Sequence, residues 1–118
     1  MPNPVITWKT IAGRECLHFL FNGKLAAEDT RIAAEKWKAE FKPRAGKKIT
    51  LVWDCLALGG YDHDSRVLWQ STLGELRGQI EGIWLVTRSL IITVGANVIS
   101  TFTKFKITIV ASEEEIKF

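Results

Sequence analysis

Features that define several protein classes are missing from this sequence of 118 residues. It has only two cysteines, Cys16 and Cys55, whereas a secreted scaffold of this size usually carries more. Residues 1–4 contain neither the basic nor the apolar segment of a signal peptide. No apolar run approaches the length needed to cross a bilayer. We therefore expect a cytoplasmic protein with no membrane span, in which both cysteines are buried and reduced.

Motifs for catalysis and metal binding are missing as well. A Gly-x-Ser-x-Gly nucleophile turn does not occur. A triad of Ser65, His63 and Asp54 can be drawn on paper, but neighbours at the start of a helix do not face each other. Asp62, His63 and Asp64 are consecutive, and consecutive residues rarely converge on one metal ion. We therefore predict no enzymatic activity, no metal and no cofactor.

Charge is nearly balanced, with a net charge of +3 and a pI near 9.0. Much of the positive excess lies in one basic segment, which comprises Lys36, Lys38, Lys42, Arg44, Lys47 and Lys48. Such a segment can attract phosphates, but a solvated helix end followed by a loop is the favoured interpretation. We expect any binding to DNA or RNA to be weak and non-specific, because the segment offers charge without a means of reading bases.

The remaining sequence is that of an ordinary globular protein, with 47% apolar and 25% charged residues. Two-residue periodicity or short β-rich runs predict strands at residues 5–11, 15–22, 48–55, 80–87 and 105–110. Helical periodicity and capping signals predict helices at residues 26–42, from 62 or 64 to 77, after Ser89, and briefly after Ser112. This order, ββαβαβαβα, predicts an α/β fold with one domain over residues 1–118. Its mixed five-stranded sheet would be flanked by three to four helices.

Individual segments carry further expectations. The second strand is apolar on both faces, which predicts an internal strand covered on both sides, and His18 within it is expected to be a satisfied core histidine. Residues 56–61 contain Gly59-Gly60 and are expected to form a flexible loop. In the first helix Ala33, Trp37 and Phe41 share a stripe. A stripe at spacings of three and four in the third helix comprises Ile91, Val94, Val98 and Phe102.

The region between the third strand and the second helix resembles the STAS domain, the family of the bacterial anti-sigma-factor antagonists. In that family a strand ends in an aspartate, a short loop follows, and Asp-Ser-Ser-Gly opens a helix. Here Asp54 ends the strand, residues 55–61 supply the loop, and residues 62–65, Asp-His-Asp-Ser, occupy the motif. The order of elements also resembles that of the family. Residues 83–95 are similar to the family's fourth strand and third helix. The resemblance covers most of the chain.

The motif departs from the family at the position that matters most for regulation. The family's phosphorylated serine is replaced by His63, its second serine by Asp64, and its glycine by Ser65. The phosphoserine switch is therefore not expected here. The chain is more similar to divergent STAS-like proteins of bacteria, which are sometimes grouped with CRAL-TRIO lipid-binding domains.

The resemblance implies a non-catalytic protein-interaction module in bacterial signalling or regulation, with a protein partner or a second copy of the chain. The alternative is a binding domain for a lipid or another small apolar ligand. The predicted interaction surface overlays the family's regulatory loop and comprises Tyr61, Asp62, His63, Asp64, Ser65, Arg66 and Trp69. For Trp69, periodicity favours exposure on this surface and packing under a neighbouring helix equally.

Overall fold

Strands and helices alternate along the chain in the order that the sequence predicts. The computed structural model describes residues 2–118. Its strands are β1 (Val5–Ile11), β2 (Arg14–Leu25), β3 (Ile49–Tyr61), β4 (Ile80–Val86) and β5 (Ile107–Val110). Its helices are α1 (Ala27–Phe41), α2 (His63–Leu76) and α3 (Leu90–Thr103). Within residues 2–118, no helix is long and apolar enough to cross a membrane.

The five strands form one mixed sheet in the order β1-β2-β3-β4-β5. β1 and β2 are antiparallel, and every other neighbouring pair is parallel. Because the parallel strands follow one another in sequence order, right-handed crossovers place all their connecting helices on the same face of the sheet. The predicted mixed five-stranded α/β fold is confirmed, with three α-helices.

The helical face of the sheet holds the larger hydrophobic core. Alternate residues of the inner strands, such as Phe19, Leu51 and Trp53, point toward the helices and pack in one buried cluster with them. Trp37 of α1 is fully buried and lies edge-on to Phe19, with ring centroids 5.4 Å apart. A buried aromatic pair in this geometry adds to the free energy gained from burial alone, which makes this face the main source of stability.

The opposite face of the sheet is not covered by an α-helix, yet β2 is buried there too, since Cys16 and His18 are buried on this face as Leu17 and Phe19 are on the other. The expectation of an internal strand covered on both sides is therefore confirmed for residues 16–19. A small second cluster lies there, around Cys16, Val52 and Val86, and Ile116, near the C-terminus, packs in it. The predicted terminal helix is a single 3₁₀ turn, Glu113–Glu115. The capping box that predicted it is present, since the Glu115 carboxylate accepts from the Ser112 N–H at 2.9 Å.

The loop expected at residues 56–61 is also absent, because β3 continues through it to Tyr61. This extension pairs with the end of β2, from Asn22↔Ala57 to Leu25↔Tyr61. The register shifts once just before it, between Leu20 and Asn22, and once within it, between Gly23 and Lys24. Gly23 and Gly60 lie on either side of the second shift, with φ values of +60° and +155°. Only glycine adopts such angles readily, so these residues permit bulges in a strand pair rather than a flexible loop.

α3 also faces differently from what a simple apolar stripe suggests. The residues that point into the core are Ile92, Gly95, Ala96 and Ile99. The stripe recognised in the sequence lies on the outside of the helix, with Ile91 and Phe102 73% and 70% exposed. The Ser89 hydroxyl accepts the N–H of Ile92 at 3.3 Å, so the predicted N-cap is confirmed.

Candidate functional site

A cavity of about 60 Å³ lies between the end of β3, the first turns of α2 and the inner face of α3. Its walls comprise Phe21, Leu25, Trp53, Cys55, Tyr61, Ser65, Arg66, Trp69, Leu85, Ile92, Gly95, Ala96 and Ile99. Most of these side chains are apolar, and the polar groups of Tyr61 and Arg66 lie at the N-terminal end of α2. The cavity therefore combines apolar walls with a few polar groups, which is the usual composition of a small-molecule site.

The Tyr61 side chain of β3 lies against Gly95 of α3. A methyl group added at Gly95 would overlap the Tyr61 hydroxyl and crowd its ring. Gly95 lies inside a helix, so the need for glycine here comes from this contact and not from an unusual backbone angle. Tyr61 thus packs directly on the helix backbone and holds α3 over the cavity.

The polar residues at the start of α2 lie next to the cavity. Asp62 occupies the N-cap position, but its side chain accepts no capping hydrogen bond and instead pairs with Lys24 at 3.1 Å. His63 and Asp64 are exposed. The Arg66 guanidinium lies 3.2 Å from Nδ1 of His63, where it can donate a hydrogen bond. This end of α2 therefore presents carboxylate, imidazole and guanidinium groups together to solvent.

Two residues of the predicted interaction surface lie beneath it instead. Ser65 is fully buried, and its hydroxyl donates to the carbonyl oxygen of Leu25 at 3.2 Å. Trp69 is 5% exposed and lies with its ring centroid 5.3 Å from that of Trp37. The exposed position for Trp69 is thus wrong, because its ring fills the aromatic core beneath the helices. A kinase would not reach Ser65 without unfolding the start of α2.

Both cysteines are buried, as the sequence predicts. Burial strongly raises the pKa of the Cys55 thiol, and the neighbouring charge of Asp54 raises it further. Burial also raises the pKa of Cys16, against the opposing effect of the Arg14 charge. The thiol form is therefore favoured at both positions, which is the unreactive form toward electrophiles and metals.

The residues that could be drawn as a catalytic triad are separated by the sheet. Ser65 belongs to α2 on the helical face, whereas Asp54 alternates with Trp53 and lies on the opposite face, 4.0 Å from His18. His63 contacts Arg66 instead. Among residues 2–118, no group of three or more His, Cys, Asp or Glu side chains is placed to hold a metal ion.

Sequence reasoning missed a small polar cluster on the open face of the sheet. His18 is buried there, and its Nε2 lies 3.3 Å from the Glu113 carboxylate and 4.0 Å from that of Asp54, so the groups nearest this nitrogen are carboxylates on the open face. Burial lowers the pKa of His18, and the charge of Lys9 lowers it further, against the opposing effects of Glu113 and Asp54. The partner Glu113 is 95 positions away in the chain, and no local pattern could have indicated the contact.

Some cations of the basic segment are engaged in contacts within the fold. Lys38 pairs with Glu75 at 2.9 Å, and the guanidinium of Arg44 stacks on the ring of Trp8 at 3.8 Å. Such contacts reduce the number of cations that are free to meet a phosphate backbone. They fit the expectation of weak nucleic-acid binding, which remains a prediction.

Comparison with known proteins decides the fold. No protein-family model matches this chain, and no curated protein matches it. Among solved structures, it is similar to an uncharacterized protein of the DUF3478 family from Shewanella loihica PV-4, described as having a SpoIIAA-like fold. The likeness covers 93% of this chain and 87% of the other, with a TM-score of 0.76 and 14% sequence identity. This chain has a SpoIIAA-like fold.

A SpoIIAA-like fold is STAS-like, so the resemblance recognised between β3 and α2 is confirmed at the level of the fold. The identity of 14% carries the likeness no further than the fold. The start of α2 is formed by His63, Asp64 and Ser65.

Proposed function

We propose that this chain is a non-catalytic, cytoplasmic STAS-like module that binds a regulatory protein partner or a second copy of itself. The observation that carries the proposal is the exposed start of α2 within a SpoIIAA-like fold. There Asp62 leaves its carboxylate free of capping, and His63, Asp64 and Arg66 are grouped beside it. Clustered polar side chains supported by a rigid core are suited to recognising a partner surface.

The proposed interaction surface consists of Tyr61, Asp62, His63, Asp64 and Arg66, with Ser65 and Trp69 supporting it from beneath. Because His63 stands at the position of the family's phosphorylated serine and Ser65 is buried, regulation would not depend on a phosphoserine. Binding would instead be set by the concentration of the partner and by these fixed charges.

The test is an affinity capture from lysate of the source organism with three forms of the protein. One is the wild type, one carries Asp64→Lys with Arg66→Glu, and one carries Glu28→Lys with Arg31→Glu on the solvent face of α1. Both variants exchange one acid and one base, so net charge is conserved. We expect partners that the wild type and the α1 variant retain and the α2 variant loses, with thermal unfolding unchanged. Retention of every partner by the α2 variant would remove this surface from consideration.

A second candidate function, binding of a small apolar ligand, rests on the cavity beneath α3. Trp53 is one of its wall residues, and the buried indole N–H of Trp53 has no hydrogen-bond partner among residues 2–118. A ligand with an apolar body would satisfy it only by placing an acceptor atom beside this N–H. An engineered cavity that binds benzene has about 150 Å³, more than twice the 60 Å³ found here. Entry of a ligand would therefore require α3 to move outward from Tyr61.

Native mass spectrometry of protein purified from its own host tests this second function. A small molecule retained by the wild type should be lost from Ala96→Leu, which fills the cavity, and kept by Ala39→Leu, which adds the same atoms to the exposed face of α1. A wild type that carries no small molecule would rule against the ligand and leave the interaction module as the function.

A further inference from the structure

The outer face of α3 is an exposed apolar ridge. Its members, hereafter the α3 ridge, are Leu90, Ile91, Val94 and Phe102, with exposed fractions of 79%, 73%, 56% and 70%, and the half-buried Val98. These residues recur at helical spacing along the whole length of the helix. Single exposed apolar residues are common in proteins, but a continuous group along one helix marks a surface that contacts something.

The charged residues that flank α3 in the sequence are all positive. None of the 14 residues of α3 is charged. Arg88 precedes the helix, and Lys104 and Lys106 follow it, and all three are exposed. The guanidinium of Arg77 donates to the carbonyl oxygen of Thr103 at 2.9 Å and so adds a fourth cation at the C-terminal end. An apolar ridge between cations is complementary to an anionic surface with an apolar interior.

The size of the ridge argues against a second copy of the chain as its occupant. A helix of 14 residues is about 21 Å long and about 10 Å wide, so its outer face offers roughly 200 Å². A stable protein interface buries about 800 Å² on each partner. The cations at both ends would also repel the same cations of another copy. A lipid surface requires no matched protein face and meets both the apolar ridge and the cations.

We propose that the α3 ridge binds the surface of an anionic lipid bilayer, with the helix lying in the plane of the membrane. The apolar side chains enter the boundary between headgroups and acyl chains, and Arg88, Lys104 and Lys106 contact the lipid phosphates. This surface is distinct from the start of α2, so His63, Asp64 and Arg66 remain free for a partner. The inference goes beyond the proposed function and does not depend on it.

The first test is flotation with lipid vesicles. Vesicles of phosphatidylcholine alone are compared with vesicles of equal parts phosphatidylcholine and phosphatidylglycerol. We expect the wild type to float with the anionic vesicles. Ile91→Glu should lower binding by more than about tenfold, because it removes an inserted side chain and adds a charge that anionic lipid repels. The matched control is Ile32→Glu, since Ile32 is also an exposed helical isoleucine (50%) but lies on α1.

The second test addresses the cations. Lys104→Asn with Lys106→Gln should weaken binding to anionic vesicles by about fivefold for each charge removed. Asparagine suits position 104, whose φ is +56°. Lys36→Gln with Lys47→Gln removes the same net charge from a distant surface and should have little effect.

Three results would overturn the proposal. One is a wild type that does not float with anionic vesicles. Another is an equal loss of binding in Ile91→Glu and Ile32→Glu. The third is a dimer in gel filtration that Ile91→Glu dissociates, since a second copy would then cover the ridge.

Discussion

α1 and α3 pack on the same face of the same sheet, yet their outer faces have opposite chemistry. They are nearly equal in length, with 15 and 14 residues. The exposed side of α1 is charged, and Arg31 there bridges Glu28 at 2.7 Å and Glu35 at 3.2 Å. The exposed side of α3 has no charge at all. The fold requires an apolar inner face of both helices and leaves the outer faces unconstrained, so the apolar outer face of α3 reflects a demand other than folding.

The largest expected effects concern the inner faces, where the two helices should behave alike. Trp37→Ala on α1 should lower the free energy of unfolding by about 3–5 kcal/mol and Ile99→Ala on α3 by about 2–5 kcal/mol, because each leaves a cavity in the shared core. Trp37→Ala should cause the larger loss of unfolding free energy, since Trp37 is larger than Ile99 and completely buried. Urea unfolding of the three proteins measures both values. A loss below about 1 kcal/mol at Ile99 would mean that α3 is only loosely docked.

A second prediction concerns the contact that holds α3 in place. Gly95→Ala should destabilise the protein by about 1–3 kcal/mol, because the added methyl group collides with Tyr61. Gly74→Ala is the matched control in α2, where a methyl group meets nothing within 4 Å, and it should stabilise the protein by up to about 1 kcal/mol.

The energetic coupling between Gly95 and Tyr61 gives a sharper test of this contact. In a Tyr61→Ala background the cost of Gly95→Ala should disappear, and a double-mutant cycle in urea measures the difference. If Gly95→Ala stabilises the protein as Gly74→Ala does, Tyr61 does not restrain α3.

A smaller effect is expected on the outer faces. Ile91→Ala on α3 and Ile32→Ala on α1 should each change the free energy of unfolding by no more than about 0.5 kcal/mol, because both side chains are half or more exposed. If the Ile91 and Ile32 variants are equally stable but differ in vesicle binding, the α3 ridge serves binding and not folding. A loss above about 2 kcal/mol at Ile91 would show that the ridge is structural after all.

The smallest effect concerns a single proton on α1. A hydrogen bond from Arg31, together with its charge, lowers the pKa of Glu28. Because the folded-state pKa is the lower one, the stabilising contribution is present above the ordinary glutamate pKa and is lost as the pH falls through the lowered value. Carboxyl-carbon NMR should show Glu28 titrating at lower pH in the wild type than in Arg31→Gln. Identical midpoints would mean that the pair is not formed in solution.

Much of the fold follows from local patterns in the sequence. β1 has the predicted bounds, and the predicted bounds of α1 and β4 differ from the observed ones by one residue at most. Ser89 caps α3 as predicted because this signal acts over a few residues and does not depend on tertiary contacts. The fold class also followed, since the order of strands and helices limits the topologies that right-handed crossovers allow.

Other features depend on contacts that local patterns do not contain. The residues of α3 are apolar on both sides, with Ile91 outside and Ile92 inside, so periodicity could not orient the helix. Gly60 indicated a loop, but it lies in β3 at a register shift in the pairing with β2. Of the predicted interaction residues, Ser65 and Trp69 proved to be buried. Their neighbours in space, Leu25 and Trp37, are distant in sequence, and only the packed fold brings them together.

The aromatic core also has an optical consequence. The indole rings of Trp37, Trp53 and Trp69 lie with centroids 5.3, 5.6 and 6.3 Å apart, so excitation absorbed by one ring passes to the others before it is emitted. The rings belong to α1, β3 and α2, and their joint emission therefore reports whether these three elements are docked. Trp8 and Trp84 pack outside this group, against Arg44 and Phe118, and emit separately. One chain thus carries two populations of fluorophore, one for the core and one for its periphery.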